Sequence, residues 1–319
     1  MVKTILVTGG AGFIGSHLCE ALLGKEYRVL CVDNFNDYYD PRIKEQNIQA
    51  MLKNEQFVLF RQDVTNINDL RSIFDKNKID AILHVAARAG VRPSIDNPLI
   101  YAQTNVEGTL NLLELAKEFG IKKFIFTSSS SVYGLVKVPF SEDTPVYDPI
   151  SPYAATKVSG ELLCKVYHHL YKLPVVCLRL FTVYGPNGRP DMAPFKFMKL
   201  ILEGKDLPVF GDGNSQRDYT YVEDIVKGFI VVLDKNIDFD IINLGNSKPE
   251  KLSTLIRTIE KHTGKKAKIK HLPEQPGDVP ITYADISKAK RILGWEPKTS
   301  LDNGIKRMVE WHKEPSKAL

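Results

Sequence analysis

The sequence has few of the residues that build metal centres. Only four of its 319 residues are cysteine, with no CxxC pair and no metal-like spacing to histidine, and the seven histidines form no cluster. The cysteines stand in apolar surroundings, where a cysteine usually behaves as a small buried hydrophobe. We therefore expect no metal site. The cysteines are Cys19, Cys31, Cys164 and Cys177.

Long apolar runs and blocks of one charge are missing as well. No stretch approaches the roughly 20 apolar residues that span a bilayer, and residues 1–8 predict a strand rather than a signal peptide. The net charge of +5 is spread along the chain, and its densest basic stretch, residues 261–271, is typical of a solvated helix end and loop. We expect a cytoplasmic protein that binds neither membranes nor nucleic acids.

Apolar strand-like runs alternate with helical patterns, which is typical of a parallel sheet covered on both faces. A length of 319 residues suits two lobes, and 43% hydrophobic residues are enough for a sizeable core. The sequence therefore predicts an α/β fold with a Rossmann-type, doubly wound parallel sheet. Predicted strands are 3–9, 28–33, 57–62, 81–84, 123–128 and 175–180, and predicted helices are 13–23, 98–119 and 152–171.

The composition changes after residue 180. Glycine, proline and asparagine become frequent from 184 to 213, and the predicted strands become short. This change predicts a first domain over 1–182 and a smaller α/β domain over 183–319. Residues 219–246 again have a helix-then-strand pattern, so we expect this segment to return to the first domain.

A glycine-rich loop follows the first predicted strand. Gly9, Gly12 and Gly15 are spaced so that the chain can turn tightly and a pyrophosphate can approach the following helix, whose N-terminus attracts anions. Asp33 ends the second strand, where a carboxylate accepts ribose hydroxyls and disfavours a 2′-phosphate. The pattern predicts NAD rather than NADP. Asp63 and Val64 follow the third strand, as an adenine contact or as an ordinary turn.

Two Tyr-x-x-x-Lys pairs are candidates for acid–base chemistry. Tyr133 and Lys137 are separated by Gly134, which argues against a helix. Tyr153 and Lys157 follow the N-cap signal Ser151-Pro152, so a helix would place them on one face. A free tyrosine titrates near pH 10, so we expect Lys157 to favour the phenolate form of Tyr153.

Residues 127–134 (TSSSSVYG) follow a buried strand, at the edge where ligands bind in open α/β sheets. A hydroxyl there can hold a substrate oxygen that loses its proton. A polar loop without this role is the alternative.

Together, these motifs resemble the extended short-chain dehydrogenase/reductase family along nearly the whole chain, and the nucleotide-sugar 4-epimerases in particular. The motifs that carry the resemblance are TGGAGFIG (8–15), HVAARAGV (84–91), NVEGTLNLLE (105–114), TSSSSVYG, YAATK (153–157) and GDGNSQRDYTYVEDI (211–225).

The resemblance implies a mechanism for inverting the C4 hydroxyl of a UDP-sugar. Tyr153 would take the hydroxyl proton while hydride passes to NAD, and the 4-keto sugar would rotate and take hydride back on its other face. Ser129 would bind the reacting oxygen, and Lys157 the nicotinamide ribose. Other implied NAD contacts are Phe13, Ile14, Asn34, Ala86 and Ala87, and implied substrate contacts are Thr127, Ser128, Arg217 for the diphosphate and Asp278 for the uridine ribose.

Two features select among relatives. Related dehydratases and UDP-glucuronate decarboxylases carry an acidic residue just before Val-Tyr-Gly, where this chain has Ser131. Residues 180–197 resemble UDP-glucuronate 4-epimerases, with Arg189 and Thr182 as candidates for the sugar carboxylate, which needs a partner when buried. The alternatives are a UDP-glucose or UDP-N-acetylglucosamine 4-epimerase, a decarboxylase, or a non-catalytic NAD-binding protein.

Some assignments stay open at this point. Arg189 is alternatively a surface arginine or a phosphate contact. Arg88 and Arg92 could each reach a diphosphate or a carboxylate, and Gln275 replaces an arginine that many UDP-galactose epimerases use for the diphosphate. The resemblance also implies a homodimer through the predicted helices 98–119 and 152–171. Leu110, Leu113, Leu162 and Tyr167 are its candidate contacts.

Overall fold

The structure is a computed structural model that describes residues 3–273 and 279–314. Its strands are β1 (Thr4–Thr8), β2 (Arg28–Val32), β3 (Phe57–Phe60), β4 (Ala81–His84), β5 (Phe124–Ser129), β6 (Val175–Leu180), β7 (Thr182–Tyr184), β8 (Asp206–Phe210), β9 (Gln216–Tyr221), β10 (Phe239–Leu244), β11 (Pro249–Lys251) and β12 (Lys268–Leu272).

Helices flank these strands throughout the described chain. They are α1 (Phe13–Leu23), α2 (Pro41–Ile48), α3 (Ile67–Lys76), α4 (Val91–Asp96), α5 (Pro98–Tyr101), α6 (Gly108–Glu118), α7 (Pro152–Tyr171), α8 (Ala193–Glu203), α9 (Val222–Asp234), α10 (Leu252–Thr263), α11 (Ser287–Leu293) and α12 (Leu301–His312). None of the helices within the described residues is long and apolar enough to cross a membrane.

A seven-stranded parallel sheet forms the centre, in the order β3-β2-β1-β4-β5-β6-β10. The expected α/β doubly wound fold is confirmed. The chain moves outward from β1 in one direction and then from β4 in the other, which opens a crevice at the carboxyl ends of these two strands. Ligands bind at this switch point in open α/β sheets.

The sheet is buried on both faces, as its near-continuous apolar strands predict. Every residue of β1 and β6 is buried. One face packs against α1 and α9, with Leu18 and Phe229 in the core. The other face packs against α3, α6 and α7, with Leu112 and Cys164 in the core. All four cysteines are buried and unpaired by disulfides.

The predicted helix 98–119 is interrupted. Between α5 and α6, residues Ala102–Glu107 form a wider π-helical turn. This turn places Asn105 so that its side chain accepts from the N–H of Arg88 at 2.8 Å and donates to the carbonyl of Arg88 at 2.9 Å. Such turns recur at functional sites, where one extra residue redirects a side chain.

Two smaller sheets form the second lobe. Strand β9 pairs with β7 in parallel and with β11 in antiparallel orientation, and β8 pairs with β12. Strand β10 leaves this lobe and pairs with β6 in the large sheet. The chain thus crosses from the large sheet to the small lobe and back before its last described helices.

Candidate active site

A single continuous cleft runs along the carboxyl ends of the central strands and under the small lobe. Most of the residues that we expected at the site line it. They are Gly9, Gly12, Phe13, Ile14, Gly15, Asp33, Asn34, Val64, Ala86, Ala87, Arg88, Thr127, Ser128, Ser129, Tyr153, Lys157, Thr182, Arg189 and Arg217. Asp278 and Gln275 lie outside the described residues.

The glycine loop can fold this tightly against its neighbours only because its glycines lack side chains. Gly9 has a φ of +68°, and a Cβ there would lie 2.7 Å from the backbone nitrogen of Ala86. A Cβ on Gly15 would lie 2.0 Å from the carbonyl oxygen of Gly9. The loop is therefore a cradle that fits a pyrophosphate against the N-terminus of α1.

Asp33 lies at the end of β2, buried beside this loop. Its carboxylate accepts from the N–H of Ala11 at 3.2 Å and from the N–H of Phe35 at 2.9 Å. It also pairs with the ammonium of Lys44 at 3.3 Å, and both side chains are almost fully buried. The sequence did not single out Lys44. The sequence feature that could have indicated its position is Asp40-Pro41, an N-cap and N1 pattern that predicts the start of α2.

Asp63 does not line the cleft but binds a residue that does. Its carboxylate accepts from the side-chain amide of Asn34 at 2.6 Å and from the N–H of Thr65 at 2.9 Å. Although burial acts in the opposite direction, these hydrogen bonds hold the pKa of Asp63 below its ordinary value. Asp63 therefore orients Asn34 in this structure, and Val64 is its neighbour on the cleft wall.

Tyr153 projects from the first turn of α7 into the middle of the cleft. The N-cap is Ser151, whose hydroxyl accepts from the N–H of Ala154 at 3.1 Å, so the predicted helix start is confirmed. Burial raises the pKa of Tyr153, while a hydrogen bond from Ser129 and the positive charge of Arg189 lower it. The Ser129 oxygen also accepts from the hydroxyl of Ser131 at 2.9 Å.

Lys157 lies on the cleft wall, four residues after Tyr153 on α7. Its ammonium donates to the carbonyl of Thr127 at 2.7 Å and lies 6.0 Å from the ring centre of Tyr153. Burial lowers the pKa of Lys157 to about 8. The cation that lowers the pKa of Tyr153 is Arg189.

The hydroxyls of the TSSSSVYG stretch divide into two groups. Ser129 faces Tyr153, whereas Ser128 is buried and donates to Glu161 at 2.5 Å. Glu161 also accepts a two-pronged contact from Arg179, with both bonds at 2.8 Å. Ser128, Glu161 and Arg179 thus form a buried hydrogen-bonded cluster at the end of β5. The hydroxyl of Ser128 donates its hydrogen bond to the protein and not to a ligand.

Arg189 is a partly buried cation on the small-lobe side of the cleft, with 18% of its side chain exposed. Its guanidinium contacts the carboxylate of Asp191 through Nε at 3.0 Å and Nη2 at 2.5 Å. Nη2 also lies 3.4 Å from the hydroxyl of Tyr38. Sequence reasoning placed Arg189 at the site but missed Asp191 and Tyr38, which lie two and 151 residues away in the chain.

The other candidate arginines lie on separate elements, and two of the three line the cleft. Arg217 extends from β9 and donates to the carbonyl of Gln216 at 2.9 Å. Arg88 is fixed through its backbone by Asn105, and its guanidinium lies 5.8 Å from the ring centre of Tyr38. Arg92 stacks instead on Phe210, with its guanidinium carbon 4.7 Å from the ring centre. Arg88 and Arg217 line the cleft and Arg92 does not.

The second Tyr-x-x-x-Lys pair is structural. Tyr133 is buried and donates to the side chain of Asn243 at 2.8 Å, while Lys137 is exposed in a loop. The expectation that these two residues do not face each other on a helix is confirmed. Within residues 3–273 and 279–314, no group of three or more His, Cys, Asp or Glu side chains could hold a metal ion.

Comparison with known proteins agrees with this geometry. A family profile described as GDP-mannose 4,6 dehydratase matches residues 6–308. The chain belongs to this family of extended short-chain dehydrogenase/reductases. It is 50% identical to a UDP-glucuronate 4-epimerase of Thermodesulfobacterium geofontis, over 97% of this chain and 96% of the relative.

Solved structures of related enzymes have the same fold. The UDP-glucuronic acid 4-epimerase of Bacillus cereus, in complex with UDP-glucuronic acid and NAD, is similar with a TM-score of 0.92 at 41% identity, over 98% of this chain and 99% of that one. The UDP-glucose 4-epimerase of Thermotoga maritima, with UDP-glucose, has a TM-score of 0.90 at 34% identity, over the same shares of the two chains.

Proposed function

We propose that this protein is an NAD-dependent epimerase that converts UDP-glucuronate to UDP-galacturonate through a transient 4-keto sugar. The observation that carries the sugar assignment is Arg189, a partly buried guanidinium that lines the same cleft as Tyr153 and whose positive charge lowers the pKa of the phenol. A partly buried cation in the same cleft as the reacting group suits an acidic sugar, whose carboxylate needs a partner when it leaves water. Relatives that act on UDP-glucuronate support it.

The residues around Tyr153 suit proton transfer at the C4 oxygen. Tyr153 takes the hydroxyl proton and later returns it, and Ser129 holds the oxygen by a hydrogen bond. A positioned base of this kind contributes about 10²- to 10⁴-fold. NAD, when bound, supplies the acceptor and then the donor of the C4 hydride. The glycine cradle, Asp33 and Asn34 hold the cofactor in the proposed complex, and Lys157 binds its nicotinamide ribose.

Arg189 and Thr182 are the proposed partners of the sugar carboxylate. Both line the cleft on its small-lobe side. Arg189 is paired with Asp191 in this structure. To bind the sugar carboxylate as well, the guanidinium must divide its N–H groups between the two carboxylates. Arg217 and Arg88 are the proposed diphosphate contacts, where a guanidinium fork fits phosphate oxygens. Thr127, Ser128 and Asp278 remain proposals as sugar or uridine contacts, with Ser128 the weakest because its hydroxyl is already committed.

The residues before Val132 disfavour elimination chemistry. Ser130 and Ser131 occupy the place where the related dehydratases and decarboxylases have a carboxyl group. Ser131 uses its N–H and its hydroxyl to bind Ser129, at 3.1 Å and 2.9 Å. No carboxyl group stands there to supply the additional acid or base, which favours epimerisation.

The proposal is tested by incubating the purified protein separately with UDP-glucuronate and UDP-glucose, without added reductant, and following the products by proton NMR. Formation of UDP-galacturonate, with little change in UDP-glucose, is the expected result. Turnover of UDP-glucose alone would assign the neutral-sugar epimerase instead, and a chain that carries NAD but converts neither sugar would be a binding protein.

We also propose a homodimer. Leu162, Val166 and Leu170 recur every four residues on α7 and are exposed, as is Leu110 on the neighbouring α6. A stripe of this kind suits a four-helix interface between two copies. Leu113 and Tyr167 are buried in their own chain and drop out as contacts. Replacing Leu162 and Val166 together with glutamate should give monomers in sedimentation experiments; an unchanged assembly would refute the interface.

The domain division is proposed on the same basis. The dinucleotide-binding domain comprises 1–182 with most of 219–246, and the UDP-sugar domain comprises the rest of 183–319. Support comes from β10, which lies in the large sheet, and from β9, which lies in a sheet of the small lobe.

A further inference from the structure

The pair formed by Asp33 and Lys44 is buried to a degree that is unusual for opposite charges next to a ligand cleft. The two side chains are 5% and 6% exposed, and their charged atoms are 3.3 Å apart. Both line the cleft beside Gly9 and Gly12. Separating a buried ion pair leaves an uncompensated charge inside the protein and strongly destabilises the fold. We therefore expect the ammonium and the carboxylate to stay paired in the folded chain.

Helix α2 is built to place Lys44 at this point. Asp40 caps its N-terminus by accepting from the N–H of Arg42 at 3.0 Å. Asn47, three residues after Lys44 and therefore on the same helical face, donates to the carbonyl of Ala11 at 2.9 Å. The N–H of Ala11 donates to Asp33. One face of α2 thus fixes both the glycine loop and the carboxylate beside it.

The carboxylate of Asp33 has few free hydrogen-bond acceptor positions. Its two oxygens have about four acceptor positions, and the N–H groups of Ala11 and Phe35 and the ammonium of Lys44 use three. One position remains for a ribose hydroxyl. The Lys44 ammonium has three donors, so it can serve the same sugar. Because Lys44 neutralises Asp33, repulsion by the carboxylate alone is too weak to account for rejection of a 2′-phosphate.

We propose that Lys44 is a cofactor-specificity residue. A free ammonium at this position would bind the 2′-phosphate of NADP, but Asp33 holds the Lys44 ammonium in an ion pair. The pair therefore accepts the ribose hydroxyls of NAD and rejects the 2′-phosphate of NADP. This inference extends the proposed function by naming the part of the chain that selects its cofactor. It depends on the dinucleotide site and not on the identity of the sugar.

The experiment measures the Kd of NAD and of NADP by calorimetry, with full-length protein freed of bound nucleotide and without any sugar. The wild type should prefer NAD. Asp33→Asn frees Lys44, and the affinity for NADP should rise by about tenfold or more through a charge-assisted contact with the phosphate. The double variant D33N/K44M should lose that gain, because it lacks the cation.

A single substitution at Lys44 tests the same idea from the other side. Lys44→Met leaves Asp33 unneutralised, so NADP binding should weaken more than NAD binding, and Lys44→Arg should restore the wild-type ratio. Thermal unfolding of each variant identifies loss of folding. Equal NADP affinities in D33N and D33N/K44M, or an unchanged NADP-to-NAD ratio in K44M, would overturn the proposal, even if the protein proves to epimerise UDP-glucuronate.

Discussion

Lys157 and Thr127 are joined by a hydrogen bond of 2.7 Å from the lysine ammonium to the threonine carbonyl oxygen. The bond ties the catalytic helix α7 to the end of β5 and holds a positive charge inside the protein. Burial lowers the pKa of that lysine to about 8 from an ordinary 10.5. The folded chain therefore destabilises the charged form of Lys157 relative to the unfolded chain.

This charge predicts a pH dependence of stability. Between about pH 8 and 10.5 the unfolded chain binds more protons at Lys157 than the folded chain does, so the free energy of unfolding rises with pH across this window. The rise, relative to Lys157→Met, should reach about 3 kcal/mol at ~1.4 kcal/mol per pKa unit. Chemical denaturation of both proteins at several pH values measures it. Lys165→Met, at an exposed position of the same helix, should show no such difference from the wild type.

Tyr153→Phe should lower the epimerisation rate by at least about 10²- to 10⁴-fold, because the proton at the C4 oxygen loses its acceptor. NAD binding should remain. Tyr133→Phe is the matched control, since it removes a buried hydroxyl from the other Tyr-x-x-x-Lys pair. It should keep activity and lose about 1 kcal/mol of stability with its bond to Asn243. Comparable rate losses in the two variants would contradict the assignment of the base.

Arg189→Gln should raise the pKa of Tyr153, because a positive charge that favours phenolate is lost. Epimerisation with saturating substrate should then fall at neutral pH and recover as the pH rises. The low-pH limb of the pH–rate profile therefore moves to higher pH. Arg189→Lys keeps the charge and should shift the limb less. Superimposable profiles for the wild type and the glutamine variant would show that Arg189 does not tune the base.

Arg189 and Thr182 should also control loss of carbon dioxide. A 4-keto glucuronate is a β-keto acid, and we expect these residues to hold its carboxylate out of alignment with the carbonyl. Alanine at either position should increase carbon dioxide release from UDP-glucuronate relative to epimerisation, measured by trapping the gas and by NMR. No change in gas release or in activity would remove both residues from this role.

Glu161→Gln should destabilise the fold by about 3–5 kcal/mol, because Arg179 would remain as a buried charge without its partner. The double variant E161L/R179M replaces both charges by apolar groups and should lie closer to the wild type than either Glu161→Leu or Arg179→Met alone. These two single variants, the double variant and the wild type are the four proteins to compare. Denaturation of the four proteins completes a double-mutant cycle. Additive losses would mean that the pair is not coupled.

Sequence patterns predicted the elements that depend on local signals. Strands β4 and β6 and helices α1 and α7 have the predicted bounds, because continuous apolar runs and a Ser-Pro start specify them locally. The π-helical turn within 98–119 was missed. A one-residue change in helical pitch leaves the apolar periodicity nearly unaltered, and the contact between Asn105 and Arg88 that accompanies the turn has no local signal in the sequence.

The partners of the site residues were harder to predict than the residues themselves. Asp33 and Arg189 are recognisable in the sequence, but their neutralisation by Lys44 and Asp191 depends on side-chain geometry in the folded chain. The same holds for Ser128, whose commitment to Glu161 distinguishes it from the adjacent Ser129. Four consecutive hydroxyl residues give no local signal of which one faces the cleft.

The late position of β10 has a consequence for synthesis of the chain. Val175 of β6 pairs with Phe239, 64 residues later, so the large sheet cannot be completed until the first part of the small lobe, residues 183–218, has been synthesised. During that interval β6, buried along its whole length in the finished protein, is an apolar edge that can pair with other chains. Slow elongation between residues 181 and 244 should therefore favour aggregation, and chaperone dependence should be greatest for chains halted in this interval.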